Sequence, residues 1–167
     1  MKPVVGIIMG SDSDLQVMQE AAKVLKQFEI PYEMGVYSAH RSPHRTADYV
    51  KSARQRGLKV IIAGAGNSAH LAGVTAAETT LPVIGVPVDS SPLSGFDSLL
   101  STVQMPPGVP VATMGVGKSG ATNAGLLAVQ ILALGDEKLT KRLVDYREQL
   151  EKSVEEKSRK VQENQGH

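Results

Sequence analysis

The sequence predicts an α/β protein, a parallel five-stranded sheet layered between helices. Two observations carry that reading. Short continuous apolar runs such as Val4 to Met9 and Val60 to Ala63 fit strands covered on both faces, which show no polar alternation. Between such runs, apolar residues recur every third or fourth position, the spacing of a helix with one buried stripe. Strand and helix then alternate along the chain, as in successive βαβ units.

The elements follow in order. Val4 to Met9 ends at Gly10 and a loop, Ser11-Asp12-Ser13, before Leu15, Met18, Ala22 and Leu25 mark a helix. Pro31 opens a second strand running through Val36 and Tyr37. Pro43 stands where a helix begins, since its missing N–H is no loss in a first turn; that helix continues through Ala47, Val50 and Ala53 to a stop at Gly57. Val60 to Ala63 is the third strand, Ala69 to Thr79 the third helix and Val83 to Val86 the fourth strand. Pro110 to Val116 reads as the fifth strand, and Ala121 to Leu134 as an Ala/Leu-rich buried helix. The stretches 89–95 and 104–108 read as proline-containing loops, either walls of a pocket or packing loops.

Five such units predict a flavodoxin-like three-layer sandwich. In an open parallel sheet ligands sit beyond the carboxyl ends of the strands, where the strand order reverses. For this order the reversal falls between strands one and three. It brings Gly10 to Asp14 opposite Gly64 to Ser68, with Ser38-Ala39-His40-Arg41 bordering the same crevice.

Composition narrows the function classes. The 167 residues are 41% hydrophobic with a net charge of +1, which gives no electrostatic reason to expect nucleic acid or a membrane as partner. Two Phe, four Tyr and no Trp leave little for a base-stacking platform. Without cysteine there is no disulfide, thiolate catalysis or Cys-ligated metal. Met1-Lys2-Pro3-Val4 runs directly into a strand, and no apolar run approaches the roughly 20 residues of a membrane span; a cytoplasmic protein is expected.

Residues 1–135 read as one catalytic domain and residues 136–167 as a charged C-terminal helix. Leu139, Leu143, Tyr146, Leu150 and Val154 form a narrow apolar stripe on it. Such a stripe serves either a solvated helix on its own domain or, as a seam, a helix packing on a neighbouring subunit. Fraying is expected from about Asn164 onward.

Three loops offer chemistry. Ser11, Ser13 and Asp14 lie between a strand and a helix, where free backbone N–H groups and the helix dipole favour an anion. Serine hydroxyls suit a phosphate monoester, whereas Asp14 suits sugar hydroxyls; Ser13 or Asp14 as a plain helix cap is the simpler account. In the second loop Arg41 supplies a fixed charged fork and His40 a proton-transferring imidazole. His40 and His44 form an HxxxH pattern, but Pro43 makes its first half a loop, so a shared metal is not expected and His44 reads as a surface residue. Gly64 to Ala69 fits the dinucleotide fingerprint GxGxxG/A, with Asp89 about 20 residues on. It falls in the third βα unit, however, and no room is left for a substrate domain. Its glycines alternatively let backbone approach a flat ring, with His70 at the next helix start pointing into the site.

Taken together, these segments resemble the N5-carboxyaminoimidazole ribonucleotide mutases of de novo purine biosynthesis. The shared blocks are Met9 to Asp14, Ser38 to Arg41, Ile61 to Gly66 with Ala69-His70-Leu71, Gly85 to Val88, Asp97 to Leu100 and Val103 to Pro106. They occur in that order between about Val4 and Leu134. The resemblance implies a flavodoxin-like domain assembled as a homo-octamer, with C-terminal helices crossing between subunits. It also implies a phosphorylated ribonucleotide substrate and a reaction using neither metal nor organic cofactor. By family match, Ser11, Ser13 and Arg41 hold the phosphate, Asp14 the ribose, and His40 transfers the proton. Ser38, Gly66, His70 and Leu71 line the ring and carboxyl pocket.

The chain departs from the family pattern at Asn67-Ser68, often Gly-Ala, at Ala72, often proline, and at Ser42, a frequent threonine. The related carboxylases, which use free CO2, share the fold and the histidine and are the alternative. Arg41 after His40 and the Ala69-His70-Leu71 block look more like the mutase branch. A non-catalytic nucleotide or flavin module is a further alternative, but the crevice loops carry no aromatic except Tyr37 at their edge. A phosphorylation receiver needs an acceptor Asp after the third strand, where Gly64-Ala65-Gly66 stand.

Overall fold

The computed structural model describes residues 2–164. Met1 and residues 165–167, where part of the expected fraying falls, lie outside the described residues. The chain divides into two compact units, residues 1–131 and 132–167.

The first unit is a doubly wound α/β sandwich. Its strands are β1 (Val5–Met9), β2 (Tyr32–Val36), β3 (Val60–Gly66), β4 (Val83–Val88) and β5 (Ala112–Thr113). All pair in parallel in the order β2-β1-β3-β4-β5, the flavodoxin-like order. Its helices are α1 (Leu15–Gln27), α2 (Pro43–Arg56), α3 (Leu71–Glu78), α4 (Phe96–Val103) and all but the last two residues of α5 (Lys118–Ala133).

Every residue of β1 and β4 is buried, which is why these strands are unbroken apolar runs. Strand alternation divides the core between the two faces. Ile61 and Ala63 of β3 join Val50 and Ala53 of α2 and Leu71 and Ala72 of α3. On the other face α1 presses so close that a Cβ on Gly64 would stand 2.1 Å from the Met18 sulfur. Gly64 is therefore a packing requirement of β3.

Three elements differ from the sequence expectation. β3 extends through Gly66 instead of breaking into a glycine-rich turn after Ala63, because these glycines make room for neighbours while still pairing with β4 from Ala63↔Gly85 to Gly66↔Val88. β5 is only Ala112–Thr113, pairing with Ile84 and Gly85; proline at 110 has no N–H for a ladder. A helix not recognised in the sequence, α4, fills Phe96–Val103, where Gly95 starts it with φ 84°.

The second unit contains α6 (Glu137–Glu163), whose N-cap Asp136 accepts from the N–H groups of Lys138 and Leu139 at 3.0 and 3.1 Å. Along it Val144, Leu150, Val154 and Val161 are exposed.

Candidate active site

At the carboxyl ends of β1, β2 and β3 lies a cavity of about 620 Å³, within the range of small-molecule sites. All nine candidate residues, Ser11, Ser13, Asp14, Ser38, His40, Arg41, Gly66, His70 and Leu71, line it. It is the crevice at the switch point, since β1 is the strand flanked by both β2 and β3.

The first wall is the turn after β1. Gly10 continues the ladder, donating to the Gly64 carbonyl at 3.0 Å. Ser11 then caps a short 3₁₀ turn over Asp12–Asp14 in a reciprocal capping box with Asp14. The Ser11 N–H donates to Asp14 Oδ2 at 3.1 Å; the Ser13 N–H donates to Ser11 Oγ and Asp12 Oδ1 at 3.3 and 3.1 Å. This corrects the expectation of free N–H groups here, because the turn's own side chains take those of Ser11 and Ser13. It also moves the cap to Ser11: Asp14 precedes α1 but makes no side-chain cap bond to it. What this wall offers an anion is the pair of hydroxyls, 3.0 Å apart. Asp14 is only 3% exposed. Burial pushes its carboxyl above the usual value, as does the neighbouring Asp12, while the Ser11 and Gly10 N–H groups and the Arg41 guanidinium oppose the rise.

The second wall is the loop between β2 and α2, which holds itself rigid. The Ser42 N–H donates to the Ser38 carbonyl at 3.0 Å, and the Ser38 N–H to Ser42 Oγ at 3.2 Å. From within α2 the buried Thr46 hydroxyl reaches the carbonyls of both Ser38 and Ser42. Ser38 Oγ accepts from the Arg41 N–H at 3.1 Å. Three short polar side chains, those of Ser38, Ser42 and Thr46, thus fix the loop that presents His40 and Arg41. Arg41 reaches across to the first wall, its Nη2 donating to the Gly10 carbonyl at 3.1 Å. Tyr37 does not line the cavity; its ring packs on Tyr49 at 4.3 Å, with Arg45 over it at 4.6 Å.

The third wall is the end of β3 and the approach to α3. His70 sits at the N-cap position of α3 without making a side-chain cap bond, so its imidazole is turned to other use. His40 Nε2 lies 2.7 Å from His70 Nδ1, with the rings edge to face. In such a pair one imidazole donates and the other accepts, and the tautomers decide which. His44 is exposed in the first turn of α2 and does not line the cavity.

Sequence reasoning did not single out Ser90, which lines the cavity from the end of β4. A Cβ on Gly66 would stand 1.8 Å from Ser90 Oγ. That contact joins segments distant in sequence, so only the two glycines of Gly64-Ala65-Gly66 hinted at it. The loop at 104–108 contributes not to this cavity but to a second one of about 480 Å³, where Gln104 and Met105 meet Gly73, Val74 and the other side of His70. Among the described residues no group of three or more His, Cys, Asp or Glu is placed to hold a metal ion.

Fold and cavity together define a doubly wound α/β protein with a cavity at the switch point, lined by a guanidinium, serine hydroxyls and a histidine pair. The chain belongs to the AIR carboxylase family, whose model matches residues 4–153. It is 59% identical over 158 residues to the N5-carboxyaminoimidazole ribonucleotide mutase of Bacillus subtilis (strain 168), covering 95% of this chain and 98% of that one. It is 60% identical over 150 residues to the mutase of the same name from Pyrococcus abyssi (strain GE5 / Orsay), covering 90% and 85%. Among solved structures it is similar to Treponema denticola PurE, with a TM-score of 0.83 at 29% identity, covering 92% of this chain and 95% of that one.

Proposed function

We propose that this chain converts N5-carboxyaminoimidazole ribonucleotide to 4-carboxy-5-aminoimidazole ribonucleotide in purine biosynthesis. The observation that carries the reading is the placement of the His40–His70 pair, 2.7 Å apart, in one cavity with Arg41 and the Ser11 and Ser13 hydroxyls. A nucleotide monophosphate laid across that cavity puts its phosphate against the guanidinium and hydroxyls and its ring against the histidines. The names of the similar mutases support the same substrate.

The steps follow from what these groups can do. His40, protonated, gives its proton to the carbamate nitrogen; the N–C bond breaks, its electron pair stays on nitrogen, and CO2 is released. The electron-rich C4 of the aminoimidazole then attacks the CO2 carbon. Neutral His40 takes the proton displaced from C4, which returns the histidine to its starting state. One group thus serves as acid and then as base. The cavity holds the CO2 beside C4, so the second bond forms without a fresh encounter from solution. Ser38 sets the height of His40 through the loop bond to the Arg41 N–H, Asp14 accepts from the ribose, and Gly66 and Leu71 form the surface on which the ring lies.

We also propose that the chain acts in the cytoplasm as a homo-octamer, with the exposed stripe of Leu150, Val154 and Val161 on α6 packing on a neighbouring subunit. Light scattering of the full chain and of one ending at Gly135 separates this from a solvated helix, which would leave the particle size per chain unchanged. No described helix is long and apolar enough to cross a membrane.

The deciding assay supplies either the carbamate or aminoimidazole ribonucleotide with bicarbonate. Efficient consumption of the carbamate alone is the expected result. Efficient use of aminoimidazole ribonucleotide with CO2 instead would make this chain a carboxylase, the activity in the family's description.

A further inference from the structure

The family model matches this chain up to residue 153, yet α6 runs on to Glu163, and its apolar stripe runs on with it. Leu139, Leu143, Tyr146, Leu150, Val154 and Val161 share one face, with Lys157 at the remaining stripe position. Leu139 to Leu150 and Leu150 to Val161 are both steps of 11 residues, which keeps the stripe on one side of a nearly straight helix. Its near end is covered, Leu139 being 5% exposed, whereas Leu150, Val154 and Val161 are 44%, 65% and 57% exposed. A stripe one residue wide fits against another helix better than against a broad surface. Charge divides the same stretch. Glu148 to Glu156 carries four glutamates and one lysine, and Lys157 to Lys160 carries Lys157, Arg159 and Lys160 with no acid. Among the described residues none of these side chains is in an ion pair.

We propose that the distal half of α6 pairs with the same segment of a second copy of this chain, antiparallel, about a two-fold axis between residues 155 and 156. That register sets Leu150 opposite Val161 and Val154 opposite Lys157, so each exposed stripe position meets another. It also lays the basic run of each helix on the acidic half of the other. Lys157 covers Val154 with its alkyl stem and keeps its ammonium at the edge of the seam. A parallel pair in register would stack Lys157 on Lys157 and the glutamates on their own copies, which is repulsive. The inference rests on the homo-oligomer proposed above and names what the stripe meets there. A seam on the order of 20 Å long buries less than a free-standing dimer needs, so it serves as one contact of that assembly.

The chain contains no cysteine, so an introduced thiol reports only its own neighbours. The test oxidises the full chain carrying L150C, V161C or both, and separates the products on a denaturing gel without reductant. On one helix the two positions stand about 16 Å apart, beyond the roughly 7 Å between Cα atoms that a disulfide bridges. The same distance separates like positions in the antiparallel pair. L150C/V161C should therefore run mostly as covalent dimer, and each single variant as monomer. Singles that cross-link as fully as the double variant would mean parallel helices and overturn the inference. Monomer from all three, where light scattering shows the unmodified chain to be an oligomer, would seat the stripe elsewhere and overturn it too. An unmodified chain that scatters as a monomer overturns both the inference and the assembly it rests on. Carbamate conversion should be unchanged in the reduced variants; its absence from the unmodified chain would remove the substrate reading and leave the helix pair standing.

Discussion

Two turns leave the same edge of the sheet, each joining a buried strand to a helix, and they are built on opposite plans. The turn after β1 spends its polar groups on itself: Ser11 and Asp14 cap one another, and Asp12 takes the Ser13 N–H. The turn after β3 spends few. Its Asn67 is left-handed, Ser68 is exposed, and His70 stands at the start of α3 without capping it. A self-satisfied turn is rigid before a ligand arrives and exchanges hydrogen bonds when it binds. A turn held from outside, here by Ser101 through the Asn67 carbonyl and the Ala69 N–H, keeps its side chains for the ligand. The first plan suits a group that every bound nucleotide carries, the phosphate and sugar. The second suits the part that changes during the reaction.

The largest expected effect tests the bridge between the two ends. In His40→Asn the imidazole is replaced by an amide that hydrogen-bonds but transfers no proton at neutral pH. Turnover should fall by about 10²- to 10⁴-fold, the usual contribution of general acid–base catalysis, while equilibrium binding of the ribonucleotide survives. A variant retaining near-normal kcat would remove His40 from the chemistry. If binding collapsed along with turnover, the histidine would belong to the binding half of the site instead.

Next is Arg41→Ala, which acts on the first plan alone. It removes the charged fork and its link to the Gly10 carbonyl, so KM for the phosphorylated substrate should rise by about ten- to a hundredfold, the range for lost charged hydrogen bonds. The dephosphorylated nucleoside should bind wild type and variant alike. An equal loss for nucleoside and nucleotide would show that Arg41 serves the loop and not the phosphate.

How much of this was legible in the sequence follows from how local each feature is. β1, β3 and β4 were readable because burial on both faces leaves only apolar residues. α4 was not: its eight residues lie between proline-containing loops, and its buried Ser98 and Thr102 read as loop residues until their hydroxyls are seen satisfying backbone carbonyls within the helix. His40 and Arg41 announced themselves by residue type. The fixing of their loop by Thr46 was hidden, since a threonine inside a helix carries no sign of which carbonyl it meets. Ser90 was hidden for a similar reason, because its place depends on a glycine of another strand. The capping box is legible in the sequence, since Ser11 and Asp14 stand at the spacing of a cap and its N3 partner, but that spacing does not say whether the N–H groups meet the cap or a ligand.

The smallest effect separates what Asp14 does for the fold from what it does for a ligand. Its carboxyl is buried, and burial raises its pKa above 3.8. The native chain therefore binds this proton more readily than the unfolded one, so the contribution of Asp14 to stability is greatest below pH 3.8 and is lost as pH rises through the raised native value. At neutral pH the buried negative charge is a net cost, offset in part by the Ser11 N–H. Asp14→Asn keeps an oxygen for that N–H and removes the charge. It should match or slightly exceed wild-type stability at pH 7 in denaturant titrations, and the difference should shrink as pH falls through the raised native value, where the wild-type carboxyl takes up its proton. Ribonucleotide affinity at pH 7 should fall nonetheless, since an amide is a weaker acceptor for sugar hydroxyls than a carboxylate. A variant less stable than wild type at pH 7 would mean that the charge, through Arg41 and the capping box, holds the turn together, and that the self-satisfied plan depends on ionisation. A variant more stable and equally tight would remove Asp14 from the ligand altogether and leave it as the anchor of the first turn.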